Sequence, residues 1–181
     1  MQMYFIALML PEQLDKKILS YKSWMADKYN CKVGLKSPAH ITIVPPFWME
    51  EEKEVQLIND IKEISASISL FTLCTDNFSA FKPRTIFVAV KENSDLLELK
   101  RKSDTYFLAS SYKMKIENRP FHPHITIATR DLHKKDFADA WPYFENKLFT
   151  EEFEATGLSL LKHNGHNWDV VYTTAFLNVL S

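Results

Sequence analysis

The tetrapeptide His-Ile-Thr-Ile occurs twice, in "PAHITIVPPF" (residues 38–47) and in "HPHITIATR" (residues 122–130). His40 and His124 lie 84 residues apart in a chain of 181, close to half its length. A duplicate at that spacing points to two similar lobes and limits the folds open to the chain. Each copy also prescribes its local structure. Successive side chains of a β-strand point to opposite faces. Ile41 with Ile43, and Ile125 with Ile127, therefore anchor the two strands in a core. His40 with Thr42, and His124 with Thr126, stand side by side on the other face.

The pattern around the copies is mixed. Residues 3–9 read as a strand, and Pro11 opens a helix to about Lys28 with Leu14, Ile18, Tyr21 and Met25 on one stripe. Residues 39–44, β-branched and bounded by prolines, read as a strand. A helix follows over 54–68, with Val55, Ile58, Ile61, Ile64 and Ile68 inward. Strands are expected in "SLFTLCTDNFSAF" and "RTIFVAV". Ser94 caps a third helix to about Ser111, residues 125–128 form a strand, and a helix runs from Lys134 to about Phe144. "FEATGLSLLKH" and "DVVYTTAFLNVL" read as a closing antiparallel pair around the turn "NGHN". The fold class is α+β: one domain over residues 1–181, made of two lobes.

Composition removes several function classes. Twenty-two basic against 23 acidic side chains leave no surface for coating nucleic acid, although a local anion pocket stays open. The three glycines, Gly34, Gly157 and Gly165, are dispersed, so a glycine-rich phosphate loop is excluded and side chains must hold any phosphate. Two cysteines without a CxxC pair speak against a disulfide framework and for a reducing, cytoplasmic setting. The apolar opening "MQMYFIALML" lacks a basic leader and is too short to span a membrane.

Two histidines facing each other across a cleft suit in-line displacement at phosphorus. One, neutral, takes the proton of the attacking oxygen; the other, protonated, gives one to the leaving oxygen. The threonine hydroxyls are donors for non-bridging phosphate oxygens.

The two motifs resemble the double His-x-Thr signature of the two-histidine (2H) phosphoesterases, which include bacterial 2′-5′ RNA ligases and RNA 2′,3′-cyclic phosphodiesterases. Phe47 after the first motif, Arg130 after the second and "KPRTIFVAV" with Arg84 agree with it. The resemblance implies a bilobal pseudo-twofold fold, a central groove, no metal and no cofactor. It implies His40 and His124 as the acid–base pair and Thr42 and Thr126 as phosphate ligands, with His124 leaning towards base and His40 towards acid. The substrate implied is a nucleotide or RNA end carrying a cyclic phosphate or a 2′-5′ linkage, with no membrane and no obligate protein partner. Arg84, Arg130, Phe47, Lys162 and Trp168 are candidate substrate contacts. Where family members often carry serine and tyrosine in the last hairpin, this chain has Lys162, His163, His166 and Trp168. Trp168 either stacks on a base or plugs the lobe interface.

Three other readings stay open at this point. His122 and His124 with His40 opposite are a conceivable zinc set, though zinc usually adds cysteine or carboxylate. The groove also suits a non-catalytic phosphate-ester binder. The same histidines, with roles exchanged, serve ligation.

Overall fold

The computed structural model describes residues 1–112, 114 and 119–178. In chain order the elements are β1 (Gln2–Met9), α1 (Glu12–Tyr29), β2 (His40–Met49), α2 (Glu54–Ser65), β3 (Phe71–Phe81), β4 (Thr85–Val90), α3 (Ser94–Ala109), β5 (His124–Ala128), α4 (Lys134–Glu145), β6 (Glu152–Ala155), β7 (Ser159–His163) and β8 (Trp168–Thr173). The strands make two antiparallel sheets, ordered β2-β1-β7-β8 and β5-β4-β3-β6. A strand–helix–motif strand–helix unit runs twice, as β1-α1-β2-α2 and β4-α3-β5-α4. The α+β, two-lobed expectation is what the chain adopts.

Each motif strand is the edge of its sheet, and β2 and β5 are neighbours between the lobes. The helices cross over: α1 packs against β5, and α3 packs against β2. Each motif strand is thus covered by a helix of the opposite unit. The four motif isoleucines are no more than 1% exposed. Burying an isoleucine fully contributes roughly 1.5–3 kcal/mol, so a one-residue slip that turned this face outward would cost several times that.

The structure departs from the sequence expectations in five places. The strand expected to stop at Val44 runs to Met49 through Pro45 and Pro46. Both prolines sit in a bulge opposite Phe5, since Tyr4 pairs with Phe47 and Ile6 with Val44. An edge strand tolerates their missing N–H groups. "FEATGLSLLKH" is not one strand: β6 joins β3 in the second sheet, and β7 joins β1 in the first. Gly157 stands between them, where a Cβ would lie 1.8 Å from the Thr174 carbonyl oxygen. The last strand ends at Thr173, and of its expected extent Val179 and Leu180 lie outside the described residues. Asn93 rather than Ser94 caps α3, its side chain accepting the Leu96 N–H at 2.9 Å. On α2 the inward row is Leu57, Ile61 and Ile64, while Val55 is exposed. Among the described residues no helix is long and apolar enough to cross a membrane.

Candidate active site

The two motif histidines are held in the same way. His40 Nδ1 lies 2.7 Å from the carbonyl oxygen of Pro38, and His124 Nδ1 lies 2.7 Å from that of His122. A carbonyl oxygen only accepts, so in both rings Nδ1 carries the proton and donates it. The neutral ring then has its lone pair on Nε2, in both copies. Each imidazole also rests on a phenylalanine of the neighbouring strand: His40 on Phe5 at 4.8 Å between ring centroids, His124 on Phe87 at 4.9 Å. The duplication therefore includes tautomer and ring support as well as sequence.

Two cavities meet at Thr42. The first, of about 310 Å³, is lined by His40, Thr42 and Thr126, with Lys22, Lys36 and Arg130 around them and no carboxylate among the lining residues. The second, of about 760 Å³, is lined by His124 and Thr42 with Phe81, Phe121 and His122. The acid–base and hydroxyl candidates of both copies are thus gathered around one groove.

Their electrostatics differ. Burial pushes the His40 imidazole down to about 4, assisted by the Lys22 cation and by His124, and opposed by the Pro38 carbonyl and Asp15. The ring keeps a partly exposed edge toward the groove but is enclosed on its other sides. His124 is also lowered, chiefly by burial, with His122 adding to the effect and its backbone carbonyl opposing it. Asp15 does structural work here as well. Its Oδ1 accepts the Ala39 N–H at 2.7 Å and so ties the start of β2 to α1.

The first cavity has a built wall. The 3-10 turn Val33–Lys36 lies against β5 so closely that a Cβ on Gly34 would stand 2.3 Å from the Ile127 carbonyl oxygen. Asp131 fastens this turn, its Oδ2 accepting the Lys32 N–H at 2.6 Å and the Val33 N–H at 2.9 Å.

The remaining candidates divide. Arg130, with a positive φ of 28°, and Trp168 line the first cavity. Trp168 packs edge-on against Phe5 at 4.6 Å, so it backs the ring that supports His40. Three candidates lie elsewhere. Phe47 is buried against Tyr4 in the core, on the same side of the strand alternation as Ile41 and Ile43 rather than that of His40 and Thr42. Arg84 is exposed in the turn before β4 and lines neither cavity. The Lys162 ammonium donates to Glu51 at 2.5 Å and to Glu54 at 2.8 Å, on the face of β7 away from the groove. Its neighbour His163 faces the groove instead. His163 Nδ1 accepts the Gly165 N–H at 3.2 Å, which leaves Nε2–H as a donor in the neutral ring.

Lys22 lines the first cavity too and was not a sequence candidate. The signal was present: it lies four residues after Ile18 on the inward row of α1. Among the described residues no three His, Cys, Asp or Glu side chains gather as a metal ligand set.

A family model described as the 2′-5′ RNA ligase superfamily matches residues 10–167, and the chain belongs to that superfamily. A putative phosphoesterase of Geobacillus sp. strain WCH70 is 28% identical over 163 residues, 88% of this chain and 90% of that protein. The RNA 2′,3′-cyclic phosphodiesterase of Bacillus subtilis strain 168 is 24% identical over 153 residues, 77% of this chain and 78% of that one. The crystal structure of E. coli LigT complexed with 3′-AMP superposes with a TM-score of 0.67 and 19% identity, covering 98% of this chain and 99% of LigT. This likeness speaks for the fold, a 2H phosphoesterase fold.

Proposed function

We propose that the protein is a metal-independent phosphodiesterase that hydrolyses 2′,3′-cyclic phosphate esters of nucleotides or RNA ends. The observation that carries this reading is the matched pair of imidazoles, each with Nδ1–H tied to a carbonyl and Nε2 free, on facing edge strands. An arginine or lysine would bind phosphate as well; two rings locked in one tautomer suit proton transfer. The relative in Bacillus subtilis named for this activity, and the LigT complex with 3′-AMP, support the same substrate class.

In the proposed reaction, His40 Nε2 takes a proton from water as its oxygen attacks phosphorus. The bond from phosphorus to one ribose oxygen breaks, and that oxygen receives the Nε2 proton of His124, which enters the reaction as the imidazolium. Thr42 and Thr126 hydroxyls donate to the non-bridging oxygens. The product is a phosphomonoester; His40 ends protonated and His124 neutral, and solvent resets both. These roles reverse the leaning taken from the resemblance. The reason is that burial lowers both imidazoles but His40 far enough, to about 4, that it is the ring more firmly held neutral, as a base must be.

The test is hydrolysis of adenosine 2′,3′-cyclic phosphate by wild-type protein, His40→Ala and His124→Ala. Each variant is expected to lose at least about 10³-fold in kcat while keeping the wild-type circular dichroism spectrum. Wild-type turnover in both variants would discard the acid–base scheme and leave a phosphate-ester binder.

A further inference from the structure

The row of α1 that carries Leu14, Ile18 and Met25 into the core also carries Lys22. Lys22 is 3% exposed, as little as many of the aliphatic side chains around it. An apolar side chain would fill such a place without the cost of desolvating an ammonium. The structure does little to compensate that cost. Lys22 Nζ donates to the Ser37 carbonyl at 3.0 Å, and among the described residues no carboxylate lies within ion-pair distance of it. Asp15, which attracts it through space, already accepts the Ala39 N–H. Burial lowers the Lys22 ammonium to about 8, so it stays charged at neutral pH.

Its surroundings supply what the helix does not. Lys22 lines the cavity that also holds His40, Thr42 and Thr126. The other two cations of that cavity, Lys36 and Arg130, are exposed, so water screens them; Lys22 is the buried one. The turn at Gly34 closes over its stem, since a Cβ there would stand 3.6 Å from Lys22 Cγ. With no glycine-rich loop in the chain, the threonine hydroxyls are neutral donors, and a dianionic transition state calls for a cation beside them.

We propose that Lys22 is a further catalytic residue, its ammonium contacting a non-bridging oxygen of the reacting phosphate and stabilising the charge that builds there. This role rests on the phosphodiesterase reading, but the anion contact is testable without it. The same charge helps to keep His40 neutral, together with His124 and against Asp15, the other charged groups that act on that ring.

Lys22→Met fills the same slot without charge. It is expected to melt at or above the wild-type temperature and to lose about 10²- to 10³-fold in kcat/KM on adenosine 2′,3′-cyclic phosphate. Lys22→Gln, which keeps a neutral donor, is expected between the two and stands in should the Met variant not fold. A folded variant within threefold of wild-type kcat/KM would overturn the proposal. Separately, inorganic phosphate is titrated into each protein and followed by the imidazole NMR signals of His40 and His124. At least tenfold weaker phosphate binding in Lys22→Met supports the contact, and an unchanged Kd overturns it. If wild-type protein bound phosphate in this Lys22-dependent way but left the cyclic ester intact, the substrate reading would fail and the contact would stand.

Discussion

The two copies of the motif have the same chemistry and different neighbourhoods. His40 and His124 share tautomer, carbonyl partner and aromatic support. Around His40 the cavity is cationic, with Lys22 buried and Lys36 and Arg130 at its rim. Around His124 it is more aromatic: its helix lysine, Lys100, is paired with Asp104 at 2.5 Å and lies over the Phe121 ring, and its other cation, Arg119, is exposed. The repeat preserves the parts that the proposed reaction would turn toward one phosphate. Elsewhere the lobes diverge: burial takes the His40 imidazole down to about 4, with Lys22 adding to the effect, and burial lowers that of His124 as well. Fold symmetry alone would not tell acid from base in the proposed reaction; desolvation and nearby charge would.

The sharpest attack on that comparison exchanges the leaving group. His40→Gln is expected to lose about 10³-fold or more on both a cyclic nucleotide and bis-p-nitrophenyl phosphate, because both need water activated. His124→Gln is expected to lose as much on the cyclic ester but at least tenfold less on the nitrophenyl ester, whose departing oxygen needs no proton. Steady-state kinetics on the two substrates decides; the reverse pattern would restore His124 as base. A second attack removes the wall that makes the first cavity distinct. In Gly34→Ala the added Cβ meets the Ile127 carbonyl at 2.3 Å, a backbone atom that cannot turn aside. A loss of about 2–4 kcal/mol in urea unfolding is expected, and an unchanged midpoint would show that the turn is free to move off β5.

Much of this was legible in the sequence where a period and a repeat coincide. The alternation in His-Ile-Thr-Ile placed Ile41, Ile43, Ile125 and Ile127 in the core and the four polar side chains on the groove face, and the structure has them there. Spacing also announced two lobes. What escaped was tertiary. The stripe on α1 through Leu14, Ile18, Tyr21 and Met25 does pack on the core, Tyr21 against Phe78, Phe144 and Phe149. Lys22 shares that row at the i+4 spacing from Ile18, but a lysine carries no apolar signal to mark it as buried. Phe47, by contrast, needed no tertiary knowledge: it stands an even number of residues from Ile41 and Ile43, so the alternation itself puts it on the core side and away from the groove. Lys162 was a reasonable phosphate ligand until Glu51 and Glu54, more than 100 residues earlier, came beside it.

Acid separates the two histidines by stability. The unfolded chain takes up the His40 proton near 6.5, the folded chain only near 4, so between those values unfolding binds a proton and falling pH destabilises the fold. Solvent reaching through the groove keeps the effect to on the order of 2 kcal/mol by pH 4. Urea midpoints measured from pH 7 to 4 should fall less steeply in His40→Gln than in wild type, and less steeply than in His124→Gln. Equal slopes in the two variants would mean that the lobes hold their imidazoles alike.

The gentlest intervention makes the second cavity resemble the first. Lys100 and Asp104 are a helical i,i+4 pair with side chains 16% and 25% exposed, so breaking the pair is expected to cost about 0.3–1 kcal/mol. Asp104→Asn leaves the Lys100 ammonium without its carboxylate in the cavity that His124 lines. Inorganic phosphate should then bind two- to fivefold more tightly by calorimetry, with the difference vanishing at high salt. No gain would mean that Lys100 is too far from the anion to matter once freed. A gain would show that Asp104 is what keeps the aromatic side, with its Lys100 and Arg119, from holding phosphate as the cationic side does.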